Sequence, residues 1–240
     1  MQAKCQVDMT YGDISKQLFM FTIPILLSQI LQQFYNIADT AIIGRYIGTD
    51  ALAAIGSTGL LISVIVNFFI GLSTGISAVI ANQFGANEYD KLKKSISTSL
   101  AVSVLLGIVF TIGSLIFMKP IINILQTPKG VYSLAIDYLK ICFLGITFQL
   151  LYNIGTAILR ALGNTKDPLY FLIFSCILNL ILDILFIVYF GWGVKGAAIA
   201  TLISQILATL LVMYKIMSLD DNCKLSLKQI KIYRGYTKDI

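Results

Sequence analysis

The chain has 240 residues, of which 57% are hydrophobic and only 12% are charged, about half the ~25% charge of an ordinary soluble domain. The mean hydropathy is +0.83, and a water-soluble fold of this size has too little interior to bury so much apolar side chain. The composition therefore excludes a soluble enzyme, a disordered tail and a secreted disulfide scaffold, and it indicates a membrane protein.

Six charge-poor windows are long enough to cross a bilayer as α-helices, which takes about 20 apolar residues. In chain order these windows are residues 17–38, 51–87, 95–118, 141–159, 168–194 and 196–214. Only Asp183 interrupts the fifth window. We therefore predict an all-α, polytopic membrane protein with a six-transmembrane-helix bundle over residues 17–214. An N-terminal segment (1–16) precedes the bundle, and a basic amphipathic tail (215–240) follows it.

The distribution of basic residues predicts the orientation of this bundle. Thirteen Lys and Arg residues fall on the side that carries both termini, and five fall on the other side. Positively charged loops stay in the cytoplasm, so we expect both termini to be cytoplasmic in a multi-pass protein of the plasma membrane. Leucine and isoleucine alternate with lysine in the tail, which favours a segment lying on an anionic membrane surface.

Residue types that catalysis or cofactor binding needs are scarce. The chain has no histidine, and its four cysteines are scattered in a pattern that fits neither a zinc site nor a disulfide framework. We find no nucleotide-binding loop and no Ser/His/Asp set. We therefore expect no enzyme activity, no cofactor and no nucleic-acid partner, and a source of energy other than ATP.

Two carboxylates lie where the sequence predicts lipid, at a cost of about 2.5–3.5 kcal/mol or more each. Asp39 is about 7.5 Å from the outer end of the first predicted helix, and Asp183 is about 10 Å from the same end of the fifth, at 1.5 Å per residue. Thr201 lies five residues inside the sixth helix, which starts at that end. Three helices therefore place a polar group in one layer of the membrane.

The neighbours of the two carboxylates extend this polar layer. Asn179 precedes Asp183 by one helical turn, Tyr35 has the same relation to Asp39, and Gln32 lies one further turn away. Such facing stripes would line a cavity whose oxygens suit a proton or a hard cation such as Na⁺ at Asp39 and Asp183.

Structural alternatives stay open for each of these residues. Each Asp would then hydrogen-bond only to neighbouring helices, or Asp39 would extend to the membrane–water interface. Thr201 would bond to its own helix backbone. Pro24 predicts a kink in the first helix, which is either static or a moving hinge.

Several segments of the chain resemble the MATE (multidrug and toxic compound extrusion) family. They are residues 24–30 (PILLSQI), 34–45 (FYNIADTAIIGR), 82–87 (NQFGAN), 160–168 (RALGNTKDP), 179–183 (NLILD) and 193–201 (GVKGAAIAT). The resemblance implies a secondary antiporter that expels cationic, amphipathic drugs in exchange for H⁺ or Na⁺. It also implies a fold of two six-helix bundles around a V-shaped cavity.

The resemblance implies that five side chains take part in cation coupling. In this sequence they are Asp39, Asn153, Asn179, Asp183 and Thr201. Asn153 is selected by the resemblance alone. Tyr35, Gln32 and Pro24 are expected to line or gate the substrate cavity.

The family usually has twelve helices, so this chain is expected to be an N-terminal half whose tail begins a bridge to a second bundle. Its expected partners are cationic amphipathic compounds, membrane lipids and a second six-helix half. Two alternatives remain: a flippase for lipid-linked oligosaccharides from the same superfamily, and a membrane fragment that does not transport.

Overall fold

The computed structural model describes residues 14–124, 128 and 130–219. Its helices are α1 (Ile14–Tyr46), α2 (Thr49–Gly85), α3 (Tyr89–Ile124), α4 (Tyr132–Ala161), α5 (Lys166–Asp183) and α6 (Gly193–Met217). All six are long and apolar enough to cross a membrane, and the described residues contain no strand. The prediction of an all-α, six-helix membrane protein is confirmed. The predicted N-terminal segment up to residue 13 and the tail from residue 220 lie outside the described residues.

Four of the helices, α1, α3, α4 and α6, extend beyond the charge-free windows of the sequence at both ends, whereas α2 and the π-helical end of α5 stop before their windows do. For example, α4 begins at Tyr132 rather than at residue 141, so its first turns include Asp137 and Lys140. The carboxylate of Asp137 lies 3.2 Å from the ammonium group of Lys195 at the start of α6, and charged side chains at helix ends reach the membrane–water interface in this way. A charge-free window therefore marks the part of a helix inside the hydrocarbon and not where the helix ends.

Short connections make consecutive helices antiparallel and give the bundle two ends. Residues 86–88 and 162–165 turn at the end where α1 begins and α6 finishes, which we call the termini end. Residues 47–48 and 190–192 turn at the opposite end, which we call the far end. Gly163 has a φ of +84°, a left-handed conformation that glycine adopts without steric cost and that commonly ends a helix.

The central helix of the bundle is α4, which packs against α2, α3 and α6. Its fully buried side chains include Leu139, Leu150, Ile154 and Ile158. By contrast, α1 packs mainly against α5 and touches α2 only lightly. The two helices α1 and α2 therefore border a groove that leads from the side of the bundle towards α4.

Candidate functional site

The carboxyl groups of Asp39 on α1 and Asp183 on α5 lie within hydrogen-bonding distance of each other. Asp183 is completely buried, and Asp39 lines the cavity described below. Two ionised carboxylates repel each other, so a hydrogen bond between them needs one proton on the pair. Two carboxyl groups in this arrangement repel each other unless a proton or a cation lies between them.

A polar layer from three helices surrounds this pair. In the amide orientation that satisfies both of its polar atoms, Asn179 Nδ2 donates to Asp183 Oδ2 at 2.9 Å and Asn179 Oδ1 accepts from the backbone N–H of Thr201 at 3.2 Å. The hydroxyl of Tyr35 donates to Thr201 Oγ1 at 3.5 Å. The structure thus brings together five residues that the sequence selected, while their role in cation binding stays a prediction.

Each carboxyl of the pair keeps one oxygen without a hydrogen-bond partner among the described residues. These atoms are Oδ1 of Asp39 and Oδ1 of Asp183, and both are buried. A buried polar atom without a partner costs about 1–3 kcal/mol, and more if it is charged. The site therefore has two oxygen acceptors that a proton or a cation would satisfy.

A local change in helix geometry begins beside Asp183. Residues Ile184–Tyr189 continue α5 as a π-helix, so that the N–H of Phe190 bonds to the carbonyl of Leu185 at 3.0 Å. The main chain of this segment packs against Gly196 of α6, where an added Cβ would lie 3.2 Å from the carbonyl oxygen of Phe186. Such π-helical turns occur frequently at functional sites.

A cavity of about 690 Å³ extends from the carboxyl pair towards the termini end. Side chains of α1, α2, α4 and α6 form most of its wall, and Asp39 is the single acidic residue among them. Tyr138 and Cys142 of α4 also line the cavity, within electrostatic range of Asp39. On the groove side, Asn36 and Asn67 line the cavity and are exposed, so the cavity opens between α1 and α2.

The remaining sequence-predicted residues have different positions. Gln32 and Tyr35 line the cavity as expected, and so does Asn153. However, Asn153 Nδ2 donates to the carbonyl of Gln149 in its own helix at 2.9 Å. It lies 11 residues from Cys142, or about 16 Å along α4, so it belongs to the termini half of the cavity and not to the carboxyl layer.

Pro24 lies within the continuous helix α1 and is not among the residues that line the cavity. Its carbonyl accepts a hydrogen bond from the hydroxyl of Ser28 at 2.7 Å. Pro24 therefore has no contact with the cavity, and a gating role would act through the shape of α1.

Sequence reasoning missed an amide pair in the middle of the cavity. The Nε2 atom of Gln205 on α6 donates to Oε1 of Gln149 on α4 at 2.5 Å, and both residues line the cavity. Helical spacing carried the necessary signal, because Gln205 follows Thr201 by four residues and Gln149 precedes Asn153 by four.

The donor atoms of the site suit a small hard cation. They are carboxylate, hydroxyl and amide oxygens, which bind H⁺ and alkali or alkaline-earth cations rather than soft transition metals. Among the described residues, no group of three or more His, Cys, Asp or Glu side chains that could hold a metal ion occurs. The oxygen ligands of the site fit an exchangeable hard cation.

The fold and the cavity define a multi-pass membrane protein whose helices border an internal polar cavity with a carboxyl pair at one end. The family model for MatE matches residues 24–185 of the chain. The chain therefore belongs to the MatE family, as the sequence motifs indicated.

Individual relatives agree with this assignment. The probable multidrug resistance protein YoeA of Bacillus subtilis is 35% identical over 82% of this chain and 43% of the relative. A FAD transporter of Shewanella oneidensis is 31% identical over 81% of this chain and 44% of the relative.

Among solved structures, a MOP superfamily transporter from Pyrococcus furiosus is similar, with a TM-score of 0.89 and 28% identity. The match covers 100% of this chain and 53% of that one. The chain thus spans about half the length of the curated relatives that it matches.

Proposed function

We propose that the chain is the N-terminal, cation-binding lobe of a transporter that expels cationic, amphipathic drugs in exchange for H⁺ or Na⁺. It is then a transporter and not an enzyme, with both termini in the cytoplasm of a cell whose plasma membrane it spans. The observation that carries the proposal is the contact between Asp39 and Asp183, each of which has a buried oxygen without a partner in the described part of the chain.

Buried acidic groups at membrane depth are costly and are typical of proton and ion pathways in transporters. Because the two carboxyls approach each other, one proton or one Na⁺ removes their mutual repulsion and satisfies their free oxygens. Loss of this cation leaves two like charges in contact, and the repulsion would be relieved if α1 moved away from α5. The light packing of α1 against α2 makes α1 the element that moves at the lowest cost.

The cavity wall supports a cationic, amphipathic substrate. Asp39 supplies a negative charge at one end of the cavity, Gln149 and Gln205 supply hydrogen-bonding groups, and Ile62, Phe69 and other side chains supply apolar surface. Drug sites combine a mostly apolar wall with a few polar groups in this way. A cationic drug and the coupling cation would compete for Asp39, and this competition would couple their movements.

A second six-helix half is the partner that the proposal requires. The groove between α1 and α2 exposes Gln29, Asn36, Asn67 and other polar side chains, which are poorly suited to contact lipid. The relatives named multidrug resistance proteins are about twice as long as the matched segment. A second lobe facing the groove would convert it into the closed cavity that alternating access needs.

The test is efflux of a fluorescent cationic dye from membrane vesicles of cells that express the chain together with a second six-helix half, driven by an imposed gradient of H⁺ or Na⁺. We expect dye movement in the wild type and its loss in Asp39→Asn and Asp183→Asn, since each amide removes the shared charge while keeping the size of the side chain. Asp137→Asn is the matched control, because Asp137 pairs with Lys195 away from the cavity. Undiminished gradient-driven efflux in Asp183→Asn would end the proposal.

A further inference from the structure

The cavity carries opposite charges at its two ends. Asp39 is the single acidic residue in its wall and Arg160, in the last turn of α4, is the single basic one. Arg160 lies 18 residues beyond Cys142, which is within electrostatic range of Asp39, and this separation corresponds to about 27 Å along the helix. This length is close to the ~30 Å thickness of a bilayer's hydrocarbon core. The proposed cation exchange does not use Arg160.

The guanidinium of Arg160 has no anionic partner in the part of the chain that the structure describes. It is partly buried, it takes part in none of the ion pairs or side-chain hydrogen bonds there, and its electrostatic neighbour is the phenol of Tyr152. The carboxylate that is nearest in sequence, Asp167, is held by Lys215 at 2.9 Å and by Asn164 at 2.6 Å. A guanidinium with five donors, partly removed from water and without a counter-ion, is a ready site for an anion.

The surroundings of Arg160 suit a phosphate group. The termini half of the cavity is lined by hydroxyl groups from three helices and contains no carboxylate; the hydroxyl-bearing residues are Ser28, Ser73, Thr74, Ser77, Tyr152 and Thr156. Arginine forms bidentate, charge-assisted hydrogen bonds with phosphate oxygens. Four of these hydroxyl groups already donate to main-chain carbonyls of their own helices, namely those of Ser28, Ser73, Thr74 and Thr156. Ser77 and Tyr152 are therefore the hydroxyl-bearing residues that would donate to the oxygens that remain. Guanidinium and hydroxyls together therefore recognise a phosphate monoester or diester.

The wall between the two charged ends indicates that this phosphate carries apolar chains. Phe69, Ile146 and Leu172 line the cavity beside the hydroxyl groups. On the open side, Ile70 and Thr74 of α2 are exposed, and the light contact between α1 and α2 leaves a lateral path from the bilayer. We propose that Arg160 binds the phosphate of a membrane lipid whose acyl chains leave the cavity between α1 and α2 and reach the bilayer.

The lipid site and the cation site occupy opposite ends of one cavity. The inference does not depend on the transport function proposed above, because it concerns binding at Arg160 alone.

The test measures lipid binding to the purified full chain in detergent micelles by native mass spectrometry. The probes are dioleoyl phosphatidic acid, dioleoylglycerol, which has the same chains and no phosphate, and glycerol phosphate, which has no chains. We expect one phosphatidic acid per chain, with the two other probes at least tenfold weaker. Arg160→Gln should weaken phosphatidic acid binding at least tenfold, which corresponds to about 1.4 kcal/mol.

Lys166→Gln is the matched control, because Lys166 is an exposed cation at the same end of the bundle and does not line the cavity; its affinity should equal that of the wild type. Arg160→Lys keeps the charge but loses the bidentate fork, so its affinity should lie between those of the wild type and Arg160→Gln. If Arg160→Gln does not fold, two other measurements test the site. They are the preference of the wild type for phosphatidic acid over dioleoylglycerol and the affinity of Arg160→Lys for phosphatidic acid.

Three results would overturn the inference. Equal affinity of Arg160→Gln and the wild type for phosphatidic acid would show that Arg160 does not bind the lipid. Equal binding of dioleoylglycerol and phosphatidic acid would show that the site does not recognise the phosphate group. Equal binding of glycerol phosphate and phosphatidic acid would make the ligand a soluble phosphate rather than a lipid.

Discussion

Helix α3 packs tightly against the central helix α4 at Gly107, and a methyl group there should separate the two helices. A Cβ added to Gly107 would lie 2.8 Å from the Cα of Thr147 and 2.9 Å from its Cγ2, whereas carbon atoms in contact prefer about 3.5–4.0 Å. Because a backbone atom is among those in the way, no rotation of a side chain can relieve the overlap. We expect Gly107→Ala to incur an overpacking cost of about 1–3 kcal/mol.

Gly113→Ala on the same helix is the control, because an added Cβ there meets nothing within 4 Å. Both substitutions gain about 0.5–1 kcal/mol of helix propensity, so the difference between their free energies of unfolding isolates the steric cost. The assay is denaturant titration of the two purified variants in micelles, followed by circular dichroism. Equal stability of Gly107→Ala and Gly113→Ala would refute this account of the α3–α4 contact.

Two other contacts give predictions of the same kind. The amide pair of Gln149 and Gln205 should show a coupling energy of about 0.5–1.5 kcal/mol in a double-mutant cycle of unfolding with leucine at each position; strictly additive losses would contradict it. Lys215→Met should destabilise the chain by about 1 kcal/mol, because Lys215 and Asp167 are both three-quarters buried and join α6 to the start of α5. Lys195→Met should change the unfolding free energy by less than ~0.5 kcal/mol, because Lys195 is 58% exposed in its ion pair. Equal losses in the two lysine variants would show that burial does not set the strength of these pairs.

Residue counting along the sequence located the carboxyl layer because each charged residue is conspicuous against its apolar neighbours. Asp39, Asp183 and Thr201 were predicted at one depth from their distances to the helix ends, and the helices bring them together. The regular rise of an α-helix makes such depths predictable.

Other features depend on packing that no single helix specifies. The helical spacing of Gln149 and Gln205 from Asn153 and Thr201 indicates that they share those faces, but their pairing follows only from the way α4 and α6 face each other. The π-helical end of α5 reflects its fit against Gly196, and neither partner predicts it alone. Likewise, the helix pattern shows where Pro24 lies along α1 but not that it is remote from the cavity.

The central claim is that Asp39 and Asp183 hold one cation between them, and cation-dependent stability of the purified chain tests it most directly. A ligand at 100 times its dissociation constant stabilises the folded state by about 2.7 kcal/mol. Unfolding free energies would be measured with and without Na⁺ at constant ionic strength, and again across a range of pH, for wild type, Asp39→Asn, Asp183→Asn and the double variant. We predict stabilisation of the wild type by Na⁺ or by acidification, its loss in each single variant, and no further loss in the double variant. Stabilisation that persists in either single variant, or losses that add in the double variant, would contradict a shared cation.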